Sequence, residues 1–217
     1  MANFLRTLYD EHRSIGAVLD GMQHLVREQR TRGVNVDPQV FRAMLYYLDV
    51  FAEREHHPKE EDHLFPALRQ RSAEAAAILD ELGREHARGE QGIRELEQAL
   101  LRYEEGGERE FPAFAAAVER YVNHYLEHMR KEERVLMPLA EKALTAKDWS
   151  LIESAFADNR DPLRGAAAGD DYGKLFTRIV NLAPAPIGLG PPATRSDRPA
   201  RPTHDQAARA PRRQRAR

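Results

Sequence analysis

Two short segments of the chain carry histidine and glutamate at a spacing that suits metal binding. The segments HHPKEEDHLFP and HMRKEERVLMP align at their terminal Leu-x-Pro, so that His56 corresponds to His128 and Glu60 to Glu132. A histidine and a glutamate four residues apart lie one turn apart on the same face of a helix. Such a pair supplies one nitrogen ligand and one carboxylate that can bridge two metal ions.

A lone histidine precedes each pair. The segment EHRSIGAVLDGM matches EHARGEQGIREL, so His12 corresponds to His86. The lone and paired histidines are similarly separated in both halves: His12 and His56 by 44 residues, His86 and His128 by 42. The repeats therefore predict two similar helical hairpins, each with one lone histidine and one His-x-x-x-Glu pair.

The periodicity of residues 1–145 is helical almost throughout. We predict four helices, at about 3–30, 38–70, 73–104 and 111–144. Asp37 and Pro38 supply an N-cap and a first-turn proline for the second helix. Because the links between these long helices are short, neighbours must run antiparallel. The predicted fold is all-α, an up-down four-helix bundle.

The four histidines lie on the apolar faces of these helices, as in the series Leu5, Leu8, His12, Ile15. A single histidine on such a face is usually a core residue bonded to a carbonyl, but here four recur in register. Buried glutamates need cations or protons nearby, because an unpaired buried carboxylate is costly. We therefore predict a two-metal site in the bundle core, with these candidate ligands: His12, His56, Glu60, His86, His128 and Glu132.

A competing register would pair His57 with Glu61, which are also four residues apart. The second repeat favours the first register, because Met129 occupies the position equivalent to His57. Pro58 removes a backbone hydrogen bond, so we expect an irregularity in the second helix. The other histidines and the repeated lysine are expected at the surface: His24, His63, His204, Lys59 and Lys131.

Composition limits the remaining chemistry. The chain has no cysteine, which excludes disulfides, iron–sulfur clusters and Cys-type zinc sites and favours iron or manganese on His and carboxylate ligands. No run of 18 apolar residues could cross a membrane. The first residues reach Arg6 without an apolar stretch, so we expect a cytoplasmic protein. No glycine-rich phosphate loop is present, so electrons for any redox reaction must come from an external donor.

Charge and composition divide the chain into three predicted parts. Residues 1–145 form the bundle, and residues 146–183 form short helices packed on it. Residues 184–217 hold seven of the 13 prolines and eight arginines against two aspartates, a net charge of +6, so the rest carries −8. This tail is predicted to be disordered. It could contact nucleic acid or anionic lipid, although a solvated tail is the simpler expectation.

The chain resembles the hemerythrin-like, or HHE cation-binding, family over roughly residues 5–145. The resemblance rests on the lone histidines of DEHRS and REHAR and on HHPKEEDHLFP and HMRKEERVLMP. It implies a four-helix bundle with a non-haem di-iron centre. The four histidines would be terminal ligands, and Glu60 and Glu132 would bridge the two iron ions.

The sequence departs from the oxygen-carrying hemerythrins, which are similar but use a His-x-x-x-His pair on the third helix and an aspartate on the fourth. Here Glu90 stands four residues after His86, and the fourth helix offers Glu132. A missing fifth histidine leaves more open positions on the metals, which favours redox chemistry or exchangeable iron over reversible oxygen carriage. Glu90 and His124 are candidates for a further ligand, weighed against a solvated role and an outer hydrogen bond respectively.

The resemblance implies a protein that binds or senses O2 or NO, or handles iron. The alternative is a di-iron oxidoreductase acting on peroxide (H2O2) or nitric oxide, or an iron donor in the repair of damaged iron centres. A third reading is a helical scaffold whose polar core is structural. The substrate is left open by the sequence.

Overall fold

The computed structural model describes residues 3–156, 179–190 and 194–195. Helices dominate these residues: α1 (Asn3–Arg32), α2 (38–71), α3 (Ala76–Gly106), α4 (111–143) and the shorter α5 (Ala146–Phe156). A 3-10 turn, Ala73–Ala75, precedes α3. Two-residue strands, β1 (Val34–Asn35) and β2 (Thr194–Arg195), pair antiparallel. The all-α prediction is confirmed.

Local signals account for the helix ends. Gly33, directly after α1, has a φ of 62°, in the left-handed region that glycine adopts without strain. The side chain of Asp37 accepts a hydrogen bond from the backbone N–H of Gln39, and Pro38 occupies the first turn of α2 as predicted. Gly107 ends α3 with a φ of 69°.

Two helices become π-helical beside the candidate glutamates. Within α2 the π segments are Leu48–His56 and Glu60–Leu64, and within α4 the π segment is Glu132–Leu136. Pro66 and Pro138 follow the last two segments, and neither proline can donate a backbone hydrogen bond to the carbonyl four residues earlier. A wider turn accommodates the missing bond. The irregularity that Pro58 predicts in α2 lies on both sides of this proline, since His57–Lys59 is α-helical between the two π segments.

The buried faces of α1 to α4 meet in two apolar clusters. At one end Phe41 of α2 packs against Phe114 of α4, with ring centroids 5.0 Å apart. At the other end Phe4 of α1 packs against Trp149 of α5, with ring centroids 5.5 Å apart. Along α1, His12 lies between the residues that belong to one cluster and the residues that belong to the other. The apolar clusters thus enclose a buried polar layer.

The C-terminal part packs on these helices. Ile152 of α5 is buried in the cluster that contains Phe4, and residues 179–182 are helical with Ile179 buried against the other cluster. Residues 184–190 follow, and Cγ2 of Ile187 lies 3.3 Å from where a Cβ on Gly21 would be. Apart from 184–190 and the strand at 194–195, the predicted disordered tail lies outside the described residues. The domain boundaries at 145 and 183 stay predictions.

No helix among the described residues is long and apolar enough to span a bilayer.

Candidate metal centre

All six predicted ligands lie together in the polar layer, and each is at most 4% exposed. They come from all four long helices. Their ligand atoms form two groups, each within 4.8 Å: His12, His56, Glu60 and Glu132 in one, and Glu60, His86, His128 and Glu132 in the other. Both groups contain the same two glutamates. These six residues make up the polar layer.

Most ligand atoms of the polar layer have no hydrogen-bond partner among the described residues. They are Nε2 of His12 and His56 and both carboxylate oxygens of Glu60 and Glu132. Oε1 of Glu132 does approach Nε2 of His128 to 3.1 Å, but without hydrogen-bond geometry. Buried oxygens without partners are costly, and imidazole nitrogens with carboxylate oxygens are donors that iron accepts. The residues present therefore fit a pair of metal ions.

Without metal, three of the histidines favour their protonated form. Burial lowers the pKa of each, but nearby carboxylates, with Glu132 foremost, outweigh burial. These carboxylates raise the pKa of His12 to about 10, that of His86 to about 9 and that of His128 to about 10. Metal binding must displace these protons, since only a neutral imidazole is a ligand.

The two shared glutamates respond differently to their surroundings. Burial raises the pKa of Glu60, and the neighbouring Glu132 raises it further. Burial also acts on Glu132, but His128, His12 and His86 outweigh it and lower the pKa of this carboxyl. In the absence of metal, protons on the histidines and on Glu60 thus offset the negative charge of the carboxylates. Bound metal ions would take over this role.

The paired histidines each contact a carboxylate through their second ring nitrogen. Nδ1 of His56 lies 2.7 Å from Glu11, and Nδ1 of His128 lies 3.1 Å from Glu85. Glu11 and Glu85 stand directly before the lone histidines in the sequence. Such contacts fix the ring and direct Nε2 at a metal.

The lone histidines repeat this arrangement with partners on other helices. Nδ1 of His12 lies 3.0 Å from Glu133, and Nδ1 of His86 lies 2.7 Å from Glu61. Glu61 and Glu133 directly follow the shared glutamates. The internal repeat therefore includes four outer carboxylates that the predicted ligand set omits. Their sequence signal is the Glu-His and Glu-Glu dipeptides, each present in both halves.

The repeated lysines are part of the same arrangement. Nζ of Lys59 lies 3.4 Å from Glu11, and Lys131 pairs with Glu85. The side chain of Lys59 is only 11% exposed. The prediction that these lysines are simply solvated is wrong, because each one neutralises an outer carboxylate.

Residues 3–140 match the hemerythrin HHE cation binding domain. This region is more than half of the 217-residue chain. The chain belongs to the hemerythrin HHE cation-binding family. The predicted resemblance is confirmed, and the whole polar layer lies inside the matched region. No curated protein and no solved structure matches the chain.

His57, from the competing register, lies beside the polar layer of this HHE domain. Its ring stacks on that of His86 with centroids 3.9 Å apart, and the two rings and His128 are close enough to form a third group. Both nitrogens of His57 are occupied, however, by Glu53 at 3.0 Å and by the hydroxyl of Tyr125 at 2.8 Å. The geometry favours the first register.

The two candidates for an additional ligand lie outside the polar layer of the HHE domain. The side chain of Glu90 is 60% exposed and lies 3.9 Å from Arg94. Nε2 of His124 lies 3.2 Å from the carbonyl oxygen of Glu85, which makes it an outer contact. His63 is exposed and His24 half-buried, while His204 lies outside the described residues.

Proposed function

We propose that this HHE domain is a non-haem di-iron protein whose polar layer holds two iron ions in an up-down four-helix bundle. The observation that carries the proposal is the pair of four-residue groups that share Glu60 and Glu132. One group would supply two histidines to the first ion, and the other group two histidines to the second. Two imidazoles and two shared carboxylates leave positions on each ion for an exogenous ligand.

Iron held here would supply one-electron redox chemistry and open coordination positions. We propose that the domain binds or senses O2 or NO, or handles iron. The ligands are at most 4% exposed between two apolar clusters, which favours diatomic or peroxide-sized ligands over organic substrates. A cytoplasmic location and an external electron donor complete the proposal.

A second candidate function is an oxidoreductase that acts on peroxide or nitric oxide. The observation that favours it is Tyr125, an oxidisable side chain whose ring centroid lies 5.9 Å from that of His128. Tyr125 is buried and hydrogen-bonded to His57. A carrier that only binds its ligand does not need such a residue.

Anaerobic addition of ferrous iron, followed by spectra under O2, NO and H2O2, tests both candidates. We expect about two iron ions per chain, since the two groups of ligands suit two ions. A stable, reversible adduct supports binding or sensing, whereas turnover supports the oxidoreductase. His86→Ala should lose metal, while the exposed His63→Ala serves as the control. One tightly bound zinc ion and no iron would contradict the proposal.

A further inference from the structure

Two buried tyrosines on α4 lead from the polar layer toward the surface. The ring centroid of Tyr125 lies 5.9 Å from that of His128 and 5.6 Å from that of Tyr121. Both tyrosines are at most 4% exposed. Tyr121 also lines a surface depression of about 150 Å³ between α3 and α4, together with Arg88 and Arg120. The two rings thus connect a candidate ligand with the outside.

Each tyrosine hydroxyl faces a proton acceptor. The hydroxyl of Tyr121 donates to Oε1 of Glu53 at 2.9 Å. Nδ1 of His57 lies 3.0 Å from Oε2 of the same Glu53. With its Nδ1–H directed at this carboxylate, His57 accepts at Nε2 from the hydroxyl of Tyr125, at 2.8 Å. Both tyrosines therefore belong to one hydrogen-bonded network.

A phenol loses an electron more readily when its proton can leave at the same time. For Tyr121 the acceptor is the carboxylate of Glu53 at 2.9 Å, and for Tyr125 it is Nε2 of His57 at 2.8 Å. The acceptors already in place provide the route for coupled loss of the proton and the electron.

The backbone of α3 leaves room for this network at two glycines. A Cβ on Gly89 would lie 3.0 Å from Oε1 of Glu53, and a Cβ on Gly92 would lie 2.9 Å from Cδ2 of Tyr121. Glycine inside a helix is destabilising relative to alanine. The glycines at both positions therefore indicate that Glu53 and Tyr121 must approach the backbone of α3 closely.

Cysteine and tryptophan, two other side chains prone to one-electron transfer, do not compete with this pair beside the polar layer. The chain has no cysteine and a single tryptophan. That residue, Trp149, packs against Phe4 in the cluster at the far side of His12. Tyr125 and Tyr121 lie in ring contact with each other, between His128 and a surface depression.

We propose that Tyr125 and Tyr121 are redox-active residues that carry electrons, one at a time, between this depression and the metal site. The inference rests on the proposed di-iron function, with hydrogen peroxide as the oxidant. In each step the phenol O–H bond breaks and one electron leaves toward the metal site. The proton passes to Nε2 of His57 from Tyr125, or to the carboxylate of Glu53 from Tyr121.

The step balances with the two tyrosines acting together. They supply two electrons, which together with two protons from the solvent reduce one H2O2 to two water molecules. A one-electron reductant at the surface depression then restores each tyrosine, as the proton held by His57 or Glu53 returns to the phenol oxygen. The depression is lined by Arg88 and Arg120 against a single carboxylate, that of Glu95, so its positive charge suits a reductant that carries negative charge.

Rapid-freeze EPR of the full chain, loaded with iron and mixed with hydrogen peroxide, tests the inference. We expect an organic radical signal whose hyperfine splitting changes when the protein is made with deuterated tyrosine. Tyr125→Phe should abolish this signal. Tyr121→Phe should keep it but slow its decay when ferrocyanide is added as the reductant, because the inner tyrosine loses its link to the surface.

Tyr103→Phe is the matched control. Tyr103 is also buried, and its hydroxyl accepts a hydrogen bond from Gln29 at 2.6 Å. It lies 17 residues after His86 on α3, which corresponds to about 25 Å along the helix. The radical signal of Tyr103→Phe should match that of the unsubstituted protein.

Iron content, measured in every sample, distinguishes failure of the proposed function from failure of this inference alone. A chain that takes up no iron pair overturns both the proposed function and this inference. An unsubstituted protein with two irons but no tyrosine-derived signal overturns the inference alone, and this result does not depend on the folding of any variant. An iron-loaded Tyr125→Phe that keeps the full signal also overturns it.

Discussion

Glu132 and Glu133 are neighbours in the sequence but contact different nitrogens of His12. Glu132 is fully buried and reaches Nε2 at 3.3 Å, whereas the side chain of Glu133 is 38% exposed and lies 3.0 Å from Nδ1. From helical periodicity alone Glu133 lies off the inward face, where loss of its charge should cost little. Its contact with His12 revises that expectation to a moderate cost.

The paired substitutions Glu132→Gln and Glu133→Gln test these roles at the scale of single residues. Glu132→Gln should release both ions, because it removes a charge that both groups of ligands share. Glu133→Gln should weaken metal binding by about 10- to 100-fold, as expected when an outer carboxylate on a ligating histidine is lost. Calorimetric titration with metal analysis measures both effects.

A larger loss in Glu133→Gln than in Glu132→Gln would contradict the assignment. The helical register would then be wrong, and the ligands of α2 would have to be reassigned to His57 and Glu61. The unchanged helix content of both variants, checked by circular dichroism, is the control for folding.

The ends of the helices were predictable where a local signal exists. Asp37 and Pro38 begin α2 as expected, and α3 ends at Gly106, close to the predicted end at about 104. The π-helical segments were foreseen only as an irregularity near Pro58. The width of a helical turn depends on how the next proline and the neighbouring helices are accommodated, and apolar periodicity does not encode that.

The outer carboxylates show the same limit at the candidate site. The inward histidines follow from the apolar stripe, since His12 and His86 repeat at helical steps. Glu11 and Glu85 contact histidines on other helices. Predicting such contacts requires the relative rotation and offset of two helices. In the sequence itself, these contacts are indicated only by the repeated dipeptides.

Two glycines of α3 allow a test at the scale of one helix. A Cβ on Gly83 would meet nothing within 4 Å, whereas a Cβ on Gly92 would lie 2.9 Å from the ring of Tyr121. Gly83→Ala should therefore raise the free energy of unfolding by up to about 1 kcal/mol, through helix propensity alone. Gly92→Ala should lower it, because Tyr121 must move.

Urea unfolding of the metal-free protein measures both changes. Gly16→Ala is a second control, because a Cβ there also meets nothing within 4 Å. Equal stabilisation by Gly83→Ala and Gly92→Ala would show that the space beside Tyr121 is not tight.

At the scale of the whole molecule, the C-terminal part and the polar layer are expected to be separable. Ile187 packs beside Gly21, which lies nine residues after His12, or about 13 Å along α1. Truncation after Leu182 should lower the melting temperature, because the packing of Ile187 is lost, while helix content and metal stoichiometry stay the same. Thermal unfolding with metal analysis checks this.

Ile187→Ala in the full chain is the control for the truncation. It should reproduce part of the drop in melting temperature without removing the arginine-rich residues that follow. Loss of metal on truncation would refute the separation of the two parts.

The two halves of the repeat, α1 with α2 and α3 with α4, each carry half of the polar layer. The first half carries His12, His56 and Glu60, but its group of ligands also includes Glu132 from the second half. The group of the second half likewise includes Glu60 from the first half. If the chain were cut in the link at 72–75, neither fragment would contain a complete site. Metal ions bound by residues of both fragments would then hold the fragments together. Reassembly of the fragments should then increase with the free iron concentration and reverse when a chelator removes the iron.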